Sequence, residues 1–234
     1  MRRLSPLGAA LSAALVLAGC TSVTGGQAVS IHQPQHSEPP MPAPATTLVT
    51  ADALGDWRLK RSELGAIVSD TDMRQVKSYT SPDESGEGIE PRACAYTILF
   101  QGTIPYGASQ ATVGDANRGA RGQSVSQLIS VFADPELSAR VVADAARLWD
   151  KCPAGQPFST TSGSTTQHWV RETTTVVDGR ATTTITRQEQ PPRSCGHVVA
   201  AQSNVAVEAI VCGDGDSTAQ ADEVVTRIVR RLPG

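Results

Sequence analysis

Five cysteines and four histidines carry most of the reactive chemistry in this 234-residue chain. Cys94, Cys152, Cys195 and Cys212 lie in its body. An even set of this kind in an exported protein is expected to oxidise into disulfides. No two of them have the short spacing of a zinc knuckle, so a zinc site built from them is not expected. His32 and His36 have the i, i+4 spacing that can hold a metal on a helix, but Pro34 between them breaks that helix. His168 and His197 have no nucleophile beside them, and the chain has no Gly-x-Ser-x-Gly elbow, His-Glu-x-x-His helix, Gly-x-Gly-x-x-Gly loop or P-loop. No catalytic residue, metal or cofactor is therefore predicted.

The fifth cysteine, Cys20, closes the motif Leu17-Ala18-Gly19-Cys20. Before it come Arg2, Arg3 and an apolar run over residues 7–18, too short to span a bilayer, which together read as a secretory leader with a lipoprotein cleavage site. The expectation is a leader over residues 1–19 and an acylated Cys20 that anchors the protein to the outer face of the cell membrane. Each buried acyl methylene adds about 0.8 kcal/mol, so two or three chains give a stable anchor where one does not. Residues 20–47, with Pro34, Pro39, Pro40, Pro42 and Pro44 among polar residues, read as a flexible tether reaching about 30 Å. Loss of Arg2 and Arg3 with the leader takes the formal charge from −3 to −5, and the scattered Lys and Arg exclude a nucleic-acid partner.

Residues 48–234 are enough for one domain with its own core. Within it, 198–201 and 205–211 are strand-like, with Ser203-Asn204 as a two-residue turn. This register sets Gln202 opposite Val205 and, counting outward, Cys195 opposite Cys212 at a non-hydrogen-bonded site, where Cα atoms lie about 4.5 Å apart. Cys94 is then left to join Cys152. A longer turn would leave a crossed pairing open. In the same register Val198, Ala200, Val205, Val207, Ala209 and Val211 share an apolar face that helices must cover, while His197, Val199, Glu208 and Ile210 share a half-open face with the disulfide. His197 and Glu208 are diagonal neighbours there, either a solvated pair or ligand contacts.

Asp134-Pro135 opens a helix running toward Cys152, and Ser217 with Gln220 forms a capping box before a helix buried along Ala221, Val224, Val225, Ile228 and Leu232. A shorter helix is predicted over 63–68 with Ser62 as its cap, and a strand over 126–132. Strands at 169–177 and 180–187 flank Asp178-Gly179, a strong hairpin signal that sets Thr173 opposite Thr184 and Thr175 opposite Thr182. Trp169 and Arg171 project from that threonine face, either as a binding surface or, for the Trp, into a core. Residues 80–92 and 102–122 read as long loops.

Taken with the Cys20 motif and the Pro-rich tether, Arg147-Leu148-Trp149-Asp150-Lys151-Cys152, Cys195-Gly196-His197 and Val211-Cys212-Gly213 before a last helix resemble the PknH-like extracellular sensor domain family over residues 48–232. That family includes the sensing domain of a mycobacterial serine/threonine kinase and stand-alone lipoproteins. The resemblance implies an α+β fold, with a largely antiparallel sheet, helices packed on it, two disulfides and a cleft for a small ligand. The single-face packing of those helices follows from the half-open hairpin face. Unlike the kinase, this sequence carries no kinase domain and no membrane-spanning helix, and no family motif assigns cleft residues. The expected function is non-catalytic capture of a small or envelope-derived ligand, with Trp169, Arg171, His197 and Glu208 as candidate contacts; the alternative is docking on an envelope protein such as a sensor kinase.

Overall fold

The chain divides between Ala43 and Pro44 into two units. The computed structural model describes residues 47–82, 85–100, 103–189 and 193–233, without the side chains at 103 and 104, all within the second unit. Cys20, His32, His36 and the tether lie outside the described residues. In chain order the helices are α1 (Leu54–Trp57), α2 (Arg61–Ile67), α3 (Ala95–Ile98), α4 (Thr103–Tyr106), α5 (Pro135–Trp149) and α6 (Ser217–Val229). The strands are β1 (Arg74–Tyr79), β2 (Ile89–Glu90), β3 (Ala111–Arg118), β4 (Ser124–Val131), β5 (Pro157–Ser162), β6 (Thr165–Arg171), β7 (Thr175–Val177), β8 (Arg180–Arg187), β9 (Ser194–Gln202) and β10 (Val205–Gly213). Among the described residues no helix is long and apolar enough to cross a membrane.

The strands form one antiparallel sheet in the order β1-β3-β4-β10-β9-β8-β6-β5-β2, with β7 also paired to β8. The central hairpin has the predicted register, from Val205 opposite Gln202 to Cys212 opposite Cys195. Both predicted disulfides are present: Cys195–Cys212 with Cα atoms 4.0 Å apart, and Cys94–Cys152 at 4.6 Å. The turn is the two-residue one, with Ser203 in the left-handed region at φ 50°. Asn204 does more than turn the chain. Its side chain accepts from Val49 N–H at 2.8 Å and donates to Val49 O at 3.0 Å and Phe132 O at 2.7 Å, so it holds the entry of the domain to the hairpin tip.

The fold is α+β as predicted, but helices cover both faces of the sheet rather than one. On the first face α6 packs Ala221, Val224, Val225 and Ile228 against Val198, Val207, Ala209 and Val211, with Leu64 of α2 and Leu54 and Leu59 joining the cluster. Fully burying each aliphatic side chain contributes about 1.5–3 kcal/mol. Gly196 lets α6 start this close, because a Cβ there would meet Ser217 O at 2.4 Å. On the second face, expected half-open, α5 closes Val141, Ala145 and Trp149 over Val199, Ala206 and Ile210. That cluster continues into a smaller one holding Cys94, Cys152, Cys195, Phe158, Trp169 and Ile185.

Local corrections follow the same competition between neighbours. Asp134 caps α5 as predicted, accepting from Leu137 N–H at 2.8 Å. The α6 cap is Asp216 rather than Ser217: the carboxylate takes Ala219 N–H at 2.9 Å, and the Ser217 hydroxyl donates to Ser194 O instead. Helix α2 begins two residues early, with Glu63 reaching back to Lys60 N–H at 2.9 Å in place of a Ser62 cap. Residues 102–122 are not a loop throughout. Strand β3 lies within them, its Gly, Asp and Asn outweighed by pairing with β1 and β4.

The outer hairpin slips by one residue. Thr175 faces Thr182 as predicted, but Arg171 faces Ile185 and Trp169 faces Arg187, because the extra residue in 172–174 bulges out. A one-residue slip turns side chains to the other face of the sheet. Trp169 and Arg171 therefore leave the threonine face, where Thr184 meets Thr218 of α6 at 2.7 Å, for the buried one beside Ile185 and Cys195.

Candidate functional site

All four residues singled out from the sequence are buried: His197 is 0%, Arg171 3%, Glu208 4% and Trp169 5% exposed. The geometry brings His197 and Glu208 together and leaves Trp169 and Arg171 on the same face but in separate networks. As the register requires, His197 and Glu208 meet diagonally, Nε2 to Oε1 at 2.5 Å. His197 Nδ1 lies 3.0 Å from Thr97 O, and the Tyr106 hydroxyl donates to Glu208 Oε2. The Trp149 ring sits 4.5 Å from the imidazole, tilted 45°.

The protons in this cluster can be counted. A carbonyl only accepts, so Nδ1 carries a hydrogen, and the Nε2–Oε1 contact needs one more. Burial first, then the Glu208 charge and the hydrogen bond to it, push the Tyr106 hydroxyl well above its usual range, so it stays a donor. The cluster is closed: every polar atom is met by another protein atom. It clamps the segment carrying Thr97 and α4 onto β9 and β10.

Arg171 is equally committed. Its Nε donates to Cys152 O at 2.7 Å, Nη1 to Glu172 O and Thr174 Oγ1 at 2.7 Å, and Nη2 lies 3.3 Å from Asp150 Oδ1. Burial lowers its pKa and Asp150 opposes the shift. The guanidinium ties the end of α5 and the second cysteine of a disulfide to the bulge after β6. Trp169 donates from Nε1 to Thr160 Oγ1 at 3.0 Å, and its ring borders a cavity.

That cavity, about 410 Å³, lies at the disulfide end of the central hairpin. It is lined by Arg118 at the end of β3, Ser124 of β4, Gln167 and Trp169 of β6, Arg187 at the end of β8, and Arg193 just before β9, with the Cys195–Cys212 bridge and Ile98 beside them. Arg193 donates from Nη2 to Gly122 O and to Cys212 O, the latter at 3.2 Å. Burial lowers its pKa, Asp214 opposes this, and the charges of Arg187 and Arg118 lower it further. Of the side chains that make this site positive, Arg187 and Arg193 flank one β8–β9 connection while Arg118 comes from a strand end about 70 residues away, and no motif marks them. Their only sequence signal is arginine next to a strand end, too common to single out.

A second cavity, about 600 Å³, lies between α1, α2 and the β1–β3 edge, and its lining mixes Arg58, Lys60 and Arg61 with Asp56 and Asp115. Here Arg58 is met within the fold: its Nη1 lies 2.9 Å from Asp115 Oδ2, and Gln127 donates to Asp115 Oδ1 at 3.1 Å. Among the described residues no group of three or more His, Cys, Asp or Glu could hold a metal ion.

The model of the PknH-like extracellular domain matches residues 49–231. The chain belongs to that family. The crystal structure of the extracellular domain of PknH from Mycobacterium tuberculosis superposes with a TM-score of 0.70 at 22% identity, covering 79% of this chain and 97% of that one, which establishes the shared fold. An uncharacterized protein from Mycobacterium smegmatis aligns at a TM-score of 0.33 and 11% identity, over 73% of this chain and 97% of its own. No curated protein matches the chain. As a PknH-like extracellular domain it is sensor-like, and its two disulfides suit that setting.

Proposed function

We propose that this PknH-like domain is a non-catalytic capture module that holds a small ligand in the cavity at the disulfide end of the sheet. The observation that carries this reading is the cavity itself. It is about 410 Å³, within the usual range for small-molecule sites, and joins polar and charged groups from separate elements to the Trp169 ring and Ile98. Trp169 remains a contact in this reading. Arg171, His197 and Glu208, with their polar atoms already engaged, hold the fold around it. Acylation at Cys20 places the module at the extracytoplasmic face of the membrane.

Native mass spectrometry of the full chain purified from its own envelope tests capture: an adduct of defined mass supports it, and loss of that adduct in Gln167→Ala locates it. Bare protein in repeated preparations refutes it. Cys20→Ala tests the anchor separately and is expected to release the protein from the membrane fraction. The alternative of docking on an envelope partner is less supported. Among the described residues Leu48, Val76, Val176 and Val177 are the large apolar side chains left exposed, and of these only the last two adjoin, at 56% and 64% exposure. A docking patch is expected to be larger.

A further inference from the structure

We propose that the cavity between α1, α2 and the β1–β3 edge is a second binding site, for a small acidic amphoteric ligand carrying two carboxylates and one ammonium: an acidic amino acid, or a short peptide with the same charges. The site is separate from the one at the disulfide end and does not depend on it. The first observation is the floor. Asp115 of β3 is buried and accepts from Gln127 Nε2 at 3.1 Å and from Asn117 Nδ2. Gln127, also buried, accepts Leu59 N–H on Oε1 and donates from Nε2 to Leu59 O, both at 2.9 Å. These bonds hold residues 58–60 across the sheet, and Asp115 fixes Arg58 through Nη1 at 2.9 Å. A guanidinium positioned in this way has little further freedom to lose when a ligand binds.

The second observation is an orphan donor on that guanidinium. Arg58 Nε is buried with no hydrogen-bond partner, the one such atom among the described lining residues of this cavity. Buried donors are nearly always met, and one left unmet is a cost that a partner removes. Nε and Nη2 form the edge of a guanidinium that takes a carboxylate through two parallel bonds. Of the Arg58 nitrogens only Nη1 is engaged, by Asp115.

The third observation is the charge that remains. Arg58 and Asp115 cancel. The other charged side chains of the lining are Lys60, Arg61 and Asp56, all exposed, and none of the three makes a hydrogen bond or ion pair among the described residues. Glu63 beside them is already committed, with Oε1 on Arg231 and Oε2 on Lys60 N–H. Two cations and one carboxylate are the complement of two carboxylates and one ammonium. Ser62 and Gln75 add neutral polar groups, no described lining side chain is aromatic and only Leu59 is apolar, which suits a polar ligand. A space of about 600 Å³ admits a free amino acid with room to spare, or a short peptide.

NMR titration of the full chain at constant ionic strength tests this with glutamate, glutamine, N-acetylglutamate and the dipeptide Ala-Glu as probes, read at the amides of Leu59, Lys60 and Gln75. Glutamate is expected to bind about threefold or more tightly than glutamine, which lacks one carboxylate, and than N-acetylglutamate, which lacks the ammonium. Lys60→Gln and Arg61→Gln are each expected to weaken glutamate about threefold, and about tenfold together, with an unchanged melting temperature. Asp56→Asn is expected to weaken glutamate by about the same threefold and to leave N-acetylglutamate unchanged, because its partner is absent from that probe. Arg58 is left intact, since its removal takes the cation from Asp115. Tighter binding of Ala-Glu assigns a short peptide and tighter binding of glutamate a free amino acid, and both support the charge set. Equal affinity for glutamate, glutamine and N-acetylglutamate, or unaltered binding in the Lys60→Gln/Arg61→Gln double variant, overturns it. Unmoved amides with glutamate and Ala-Glu at about 20 mM overturn the site itself, while capture at the disulfide end, read through Gln167→Ala, is unaffected.

Discussion

Replacing Glu208 with leucine, close to it in size, removes the one acceptor shared by His197 and Tyr106 and opens little space. His197 is fully buried and Tyr106 nearly so, so neither can turn to water. Each orphaned donor costs about 1–3 kcal/mol. Two of them give about 2–6 kcal/mol, which brackets the ~3–5 kcal/mol typical of removing one partner from a buried ion pair. For a domain of this size each kcal/mol moves the melting temperature by about 2–4 °C, so Glu208→Leu is expected to melt about 6–20 °C lower. Urea unfolding followed by tryptophan fluorescence is a direct assay, since Trp149 sits 4.5 Å from the imidazole. The double variant His197→Phe/Glu208→Leu removes both partners together, and its loss is expected to fall short of the sum of the two single losses by at least about 1 kcal/mol. A Glu208→Leu protein that unfolds within about 0.5 kcal/mol of the parent, or a cycle with no coupling, would refute the account of the cluster as a closed clamp.

Opening the 58-residue loop with Cys94→Ser/Cys152→Ser is expected to cost about 4 kcal/mol by loop-closure entropy, read by denaturant midpoint, and non-reducing peptide mapping of the parent should show only Cys94–Cys152 and Cys195–Cys212 links. Gly196→Ala must push the start of α6 off the sheet and is expected to cost about 1–3 kcal/mol; no change in melting would contradict the close approach seen there. Asn204→Ala strips three hydrogen bonds from Val49 and Phe132 and should cost about 2–3 kcal/mol, with amide exchange rising first at the start of the domain.

The central hairpin was legible because one short turn fixed its register, and the register alone paired the cysteines and sorted the apolar face. The same count failed three pairs out from the turn of the outer hairpin. Nothing in Glu172-Thr173-Thr174 announces a bulge, and that single extra residue moved Trp169 and Arg171 from the face shared with Thr184 to the buried one. The second face was misread as half-open because a polar His and Glu stood on it. Their mutual contact was foreseen, but Tyr106 and Thr97, which complete the cluster, lie about 90–110 positions away in sequence and are joined to it only by tertiary packing. Strand β3 was hidden by Gly114, Asp115 and Asn117, residues poor in β-propensity that an inner position in the sheet imposes. The arginines of the cavity were hidden for the related reason that strand order, and nothing local, brings Arg118 to the end of the sheet where Arg187 and Arg193 lie.

The hold of Asn204 on Val49, together with the Ser203 hydroxyl on Thr47 O at 3.0 Å, gives the domain two poles. The chain enters at the tip of the β9–β10 hairpin, and the arginine cavity lies at the other end of those strands. Nine residues of β10 separate the two, about 27–30 Å at strand spacing. Attachment of the domain at Thr47 therefore holds it by the pole farthest from the cavity, as a cup is held by its foot.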